Sequence, residues 1–210
     1  LVAHLCSGAV PILGTGDMGG AIAQAPAERT QHDVAVRGSR PGSASASALI
    51  NRLALREATD ADIEQSDIVF VVVPAKAIPG VAPILKDYRG IIVSVSVSGA
   101  VGRDGRKSSA EQLAEALPAA HVVNAFTSIW STVVRNPGKA GKTSAFVCSD
   151  DEDAKVVIMS LAEELGFEPI NGGKLSVALY AEALGMFAVR LALDSGYGQT
   201  ISFRAFQATD

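Results

Sequence analysis

Six residues near the start of the chain, Gly14-Thr15-Gly16-Asp17-Met18-Gly19, restrict what it can fold into more than any other stretch. They follow an apolar run, Ala9 to Leu13, and lead into a helix-compatible segment, Met18 to Gln24. In G-x-G-x-x-G, the first glycine permits a sharp turn, the second leaves the backbone bare and the third lets a helix pack close to a strand. The helix that starts there offers N–H groups and a partial positive charge to a phosphate. With 20 glycines in 210 residues, chance gives on the order of 0.2 such matches per chain. The position between strand and helix therefore carries the reading of a nucleotide-binding turn against that of a merely structural one. Asp17 is expected to cap the helix rather than touch a ligand.

The rest of the chain repeats the same alternation. Short apolar runs at Ala9–Leu13, Val34–Val36, Ile68–Val73, Ile91–Val97, Val122–Phe126 and Ser144–Cys148 read as buried strands. Helix-like segments lie between them, at Met18–Gln24, Ser43–Ala58, Ala75–Leu85, Ser109–Leu117 and Asp151–Leu165. Strand and helix in turn predict an α/β chain with a Rossmann-like, doubly wound parallel sheet. Lys174 to Asp194 is helical in pattern without a strand partner, and Gly196 to Asp210 forms a tail. The expected organisation is a dinucleotide-binding domain over 1–172 and a small C-terminal helical extension over 173–210. Pro11 conflicts with this scheme, because it lies in a strand that should be central, where a missing N–H costs a ladder bond. Either the strand begins later or its ladder is disturbed there.

Composition narrows the function. The chain is 48% hydrophobic and carries a formal net charge of -4 with no block of like charge, which disfavours nucleic acid and anionic membrane surfaces as partners. Cys6 and Cys148 have no metal-ligand spacing, so no metal site is expected and each reads as a small buried residue. Ser94, Ser96 and Ser98 interrupt the segment Ile91 to Val101, and no apolar run is read as spanning a bilayer. Leu1 to Leu13 lacks a cationic start, so no signal peptide is expected, and the location predicted is cytoplasmic.

The second strand ends in Arg37-Gly38-Ser39-Arg40. An NAD site would carry an acid there for the ribose hydroxyls, whereas a 2'-phosphate needs a hydroxyl and a guanidinium, so NADP(H) is the expected cofactor. A solvated basic loop is the bland alternative. The second substrate should sit beyond the strand ends at Val73-Pro74, Ser94–Ser98 and Thr127–Trp130. His4, His32 and His121 all fall away from those ends, and no nucleophile elbow or carboxylate pair is present. No catalytic acid or base is therefore expected, which suits hydride transfer to a conjugated ring.

With these residues in view, the chain resembles the F420-dependent NADP reductases. The resemblance rests on Gly14–Gly19, Gly38-Ser39-Arg40, Asp67–Pro74, Ser108–Glu111, Val122–Ser128, Val147–Asp151, Leu161–Gly173 and Ala181–Leu184. It implies hydride transfer between NADP(H) and the deazaflavin coenzyme F420. Gly14, Thr15, Gly16, Asp17, Met18 and Gly19 would lie along the pyrophosphate, and Ser39 and Arg40 would hold the 2'-phosphate. Val73, Pro74 and Ala75 would border the nicotinamide, with Thr127, Ile129 and the Gly185 region facing the deazaflavin. It also implies a homodimer to which the C-terminal helix contributes. Ala75 stands where the family often has Trp, Thr127 where some members have His, Trp130 where they have Pro, and Gly185 where a hydroxyl residue occurs. A basic residue shortly after Arg40 is missing. These departures leave open an NADPH-dependent reductase of a flavin, metal chelate, imine or carbonyl, and a non-catalytic NADPH sensor.

Overall fold

A computed structural model describes residues 8–99 and 106–208; the expectations for His4, Cys6 and the start of the chain lie outside the described residues. Among the described residues the strands are β1 (Ala9–Leu13), β2 (Asp33–Arg37), β3 (Arg56–Glu57), β4 (Ile68–Val71), β5 (Ile91–Ser94), β6 (His121–Asn124), β7 (Ser144–Cys148) and β8 (Glu168–Gly173). They form one sheet in the order β3-β2-β1-β4-β5-β6-β7-β8. Neighbours run parallel except β6 and β7, which meet antiparallel at Asn124 and Cys148. Strand order reverses between β1 and β4, the switch point at which a doubly wound sheet opens a crevice.

The helices are α1 (Asp17–Arg29), α2 (Ala44–Leu53), α3 (Asp60–Gln65), α4 (Ile78–Val81), α5 (Ser109–Ala116), α6 (Ser131–Arg135), α7 (Glu152–Glu164) and α8 (Ala178–Leu193). They cover both faces of the sheet. One core gathers Ile12, Ile22, Val36, Phe70, Val93, Val123, Phe126 and Ile158; the other gathers Leu13, Ile63, Val69, Val71, Leu85, Ile92, Leu113 and Val122. Along β4, Ile68 and Phe70 enter the first core while Val69 and Val71 enter the second, as the two-residue strand period requires.

Pro11 is accommodated by the register. The Gly14 amide donates to the Arg37 carbonyl of β2 at 2.9 Å, and the Val72 amide donates to the Leu13 carbonyl at 2.8 Å. Odd residues of β1 therefore address β4. Pairing with β4 begins only at Ile12 opposite Phe70, so the N–H that Pro11 lacks falls just ahead of the ladder.

Several expected elements are corrected. The helix read over Ser43–Ala58 ends at Leu53, where Ala54 turns left-handed with φ 53°. The short β3 and α3 follow, the latter started by a Thr59–Asp62 capping box. The helix read over Ala75–Leu85 is a chain of short helical turns, because Pro79, Gly80 and Pro83 interrupt it. β4, β5 and β6 stop short of Val73, Val97 and Phe126, which continue as buried or half-buried loops. β3 and β8 carried no strand signal: one is two residues long, and the other, Glu-Pro-Ile-Asn-Gly-Gly, is an edge strand without alternation.

The C-terminal extension folds back on the same sheet. α8 packs on α5 and β7. Beyond it, the Ser144 amide donates to the Phe203 carbonyl at 2.9 Å, and Arg204 donates to both carboxylate oxygens of Glu168 at 2.6 and 2.9 Å. The 19 residues Leu175–Leu193 have mean hydropathy 1.5, long and apolar enough by length and composition to cross a bilayer, a run the sequence reading overlooked. Here Ala178, Ala181, Glu182, Gly185, Ala188 and Ala192 are buried against the sheet domain.

Candidate functional site

The glycine-rich turn sits at the switch point, and its glycines divide into two kinds. A Cβ on Gly14, whose φ is +123°, would drive into the Val72 carbonyl, and one on Gly19 would drive into the Gly14 carbonyl. Both are held by the protein's own backbone. A Cβ on Gly16 would meet nothing within 4 Å. Gly16 is the N-cap of α1 and has no side-chain cap, so the start of α1 is open to an incoming anion. The bare position is the one a pyrophosphate needs.

A cleft of about 490 Å³ opens beside this turn. It runs from Leu13–Gly16 past Arg37–Ser39 and Ser45 to Val72–Pro74, with Lys76, Ala77, Val81 and Ile84 as its farther wall. Its size is that of a small-ligand pocket. Its polar end is organised by α2: Ser43 caps that helix by accepting from the Ala46 amide at 3.4 Å, and Ser45 shares a 2.7 Å hydrogen bond with Thr15. The loop between is tied by the Gly42 amide, which donates to Glu57 at 2.9 Å. Ser39 lines the cleft, while Arg40 is exposed on the same loop outside the lining. Arg37, which also lines it, is paired with Asp60.

Asp17 does not cap α1, contrary to expectation. It is the first helical residue, and its carboxylate accepts from the Ser131 hydroxyl and from Arg135 at 2.7 Å. The Ser131 hydrogen bond, with Arg135 beside it, holds the Asp17 carboxyl below the ordinary range. Its charge is thereby matched where a phosphate would approach. Arg52 and Arg135 flank Thr15, Gly16 and Ser45 in an adjoining recess of about 310 Å³. Sequence spacing gave no sign of either arginine, because α2 and α6 meet α1 only in the folded chain.

On the other side of the switch point, Thr127, Ser128, Ile129 and Trp130 join Val97, Gly185, Met186, Ala188 and Val189 around a slot of about 130 Å³. Ser96, next to Val97 of the slot, donates its hydroxyl to the carbonyl of Val73, which lines the cleft, at 2.6 Å. Val73 and Pro74 line the cleft, whereas Ala75 packs against the second core. Among the described residues the lining of the slot is apolar and holds no His, Asp, Glu, Lys, Arg or Cys. His121 instead meets Asp151 at 2.5 Å near the start of α7. Cys148 is a buried thiol pushed up to about 11 by desolvation; it plays the apolar part expected of it.

Residues 9–98, which build the cleft, match the family model described as NADP oxidoreductase, coenzyme F420-dependent. The rat metalloreductase STEAP3 (Rattus norvegicus) is 29% identical over 125 residues, which span 58% of this chain and 25% of that protein; the chain thus matches about a quarter of this relative's length. A structure from Arthrobacter sp. FB24, provisionally described as an F420-dependent NADP-reductase, superposes with TM-score 0.76 at 24% identity, covering 90% of this chain and 96% of that one. A hypothetical protein from Sinorhizobium meliloti superposes with TM-score 0.68 at 28% identity, covering 81% and 87%. The match over residues 9–98 bears out the chain's resemblance to the F420-dependent NADP reductases, and the superpositions bear out its Rossmann-like fold.

Proposed function

We propose that the protein is an NADPH-dependent reductase that passes hydride to a planar ring acceptor, with coenzyme F420 as the first candidate. The bare Gly16 at the start of α1, opening on a cleft at the switch point, is the observation that carries the reading. The dinucleotide fits there: Gly14–Gly19 and Thr15 face the pyrophosphate, and Ser39 and Arg40 hold the 2'-phosphate, since no acid stands between Arg37 and Arg40 for the ribose hydroxyls of NAD. NADPH would supply the hydride, two electrons and a proton nucleus, and the ring acceptor would take it up. This chain's own part is orientation and exclusion of water, which the slot, apolar among the described residues, suits. No side chain is assigned to proton transfer.

Residues 1–172 would hold the dinucleotide, and 173–210 would complete the acceptor side and meet a second copy in a cytoplasmic homodimer. Exposed Tyr180 and Phe187 on α8 support that contact. A second reading has its own support. The slot is small for a three-ring acceptor, Trp130 forms part of its wall, and the rat relative is a metalloreductase, so a ferric chelate or a smaller ring is the alternative acceptor.

The test is spectroscopic. NADPH is mixed with oxidised F420, flavin or a ferric chelate, and NADH is run in parallel. Bleaching of F420 with NADPH alone is the expected result. Reduction of a chelate or flavin without F420 turnover would transfer the activity to the second reading, and NADPH binding without reduction of any acceptor would reduce the protein to a sensor.

A further inference from the structure

Glu182 lies on α8, a helix otherwise apolar at its buried face, and is fully buried. A carboxylate there is costly unless it is bonded, and it is bonded at both oxygens. The Ser98 amide donates to Oε2 and the Ser109 amide donates to Oε1, each at 2.7 Å. Ser109 is the first residue of α5, so the carboxylate also faces the positive end of that helix. Burial pushes the carboxyl upward, as expected where amide donors only partly replace water.

One turn on, Gly185 brings the same face of α8 against the loop after β6, so closely that a Cβ would strike the Thr127 carbonyl. Glu182 and Gly185 thus fasten α8 to two different loops. Val97, next to Ser98, and Thr127 both line the slot, together with Gly185 and Met186 of α8. The two fastenings thus tie α8 to two of the segments that form the slot.

We infer that Glu182 is a positioning residue for the acceptor: by holding the Ser98 and Ser109 amides, it sets the distance between α8 and the loop after β5 at Val97, and hence the shape of the slot. The inference rests on the reading of the slot as the acceptor site, but its structural part can be read without any turnover. The chain has a single tryptophan, and Trp130 lines the slot, so its fluorescence reports there and nowhere else.

The experiment compares the wild-type chain with Glu182→Gln and Glu182→Asp. Gln keeps the size but turns an NH2 toward one of the two amide donors; Asp keeps both oxygens on a shorter arm. Three quantities are measured: acrylamide quenching of Trp130, the Kd for NADPH, and the KM and kcat for the acceptor. For Gln, the quenching constant should at least double and the acceptor KM rise roughly 10-fold or more, as loss of a charge-assisted hydrogen bond implies, with the NADPH Kd unchanged within about twofold. Asp should fall between Gln and the wild type, which serves as the fold control if Gln is poorly folded. Unchanged quenching in both variants would overturn the inference, as would an NADPH Kd that rises by the same factor as the acceptor KM, since that marks general loosening. A wild type that turns over no acceptor overturns the reductase reading, while Trp130 quenching still decides whether Glu182 shapes the slot.

Discussion

The cleft and the slot lie on either side of one switch point, yet they are built by different means. The dinucleotide side is made largely of backbone: a bare glycine, a helix start, and a loop capped by Ser43, all within about the first quarter of the chain. The slot is made of side chains from three distant segments, around Val97, Thr127–Trp130 and Gly185–Val189. A backbone site tolerates changes of its neighbours but no added Cβ, whereas a side-chain site changes its ligand by a single substitution. The family model covers 9–98, which include the departure Ala75, whereas the departures Thr127, Trp130 and Gly185 in the slot lie beyond it.

The largest effect should come from separating the glycines. Gly16→Val places side-chain atoms only in the open space where phosphate would lie, so NADPH affinity should fall more than about 100-fold while the melting temperature stays within about 2 °C. Gly19→Ala forces a clash with the Gly14 carbonyl and should cost about 3 kcal/mol or more, roughly 6 °C in Tm. Calorimetry and titration on the pair test this; equal Tm losses would show Gly16 to be structural as well.

Arg40→Ala should raise the KM for NADPH about 10- to 100-fold and leave NADH nearly unaffected, because a guanidinium on a 2'-phosphate is a charge-assisted contact with that group alone. Equal losses with both cofactors would remove Arg40 from the site. On the other side, Trp130→Leu widens the slot and should shift the ratio of kcat/KM between F420 and a small chelate several-fold toward F420, with the NADPH KM unchanged. A ratio equal to that of the wild type would mean that Trp130 does not limit the acceptor.

The smallest effect is on acid stability. Asp17, held chiefly by Ser131, Asp62, held by Arg56, and Asp151, held by the Ala154 amide, all titrate below the ordinary 3.8. A carboxyl depressed in the folded state stabilises it above the unfolded pKa, and that stability is lost as pH falls through the folded value. Urea midpoints should thus be flat from pH 7 to about 5 and decline below about 4. Asp62→Asn should lower the neutral midpoint and flatten the decline; an unchanged slope would show that its Arg56 pairing contributes nothing.

Local pattern made β1, the glycine turn, α1 and the Ser39-Arg40 loop legible, because each follows from residues adjacent in sequence. The same logic failed at Val72–Val73, Val95–Val97 and Ala125–Phe126. Apart from Ser96 these residues are apolar because they are buried or half-buried, and periodicity cannot tell a buried loop from the end of a buried strand. The sequence by itself determined the doubly wound fold and the open turn at Gly16, since tight turns and alternating apolar runs are local requirements of the backbone. Only the tertiary structure decided that Arg135 neutralises Asp17, that Glu182 secures α8, and that Trp130 narrows the slot. Each of these joins residues more than 70 positions apart or on separate elements, and such contacts are chosen by the packing of the whole sheet.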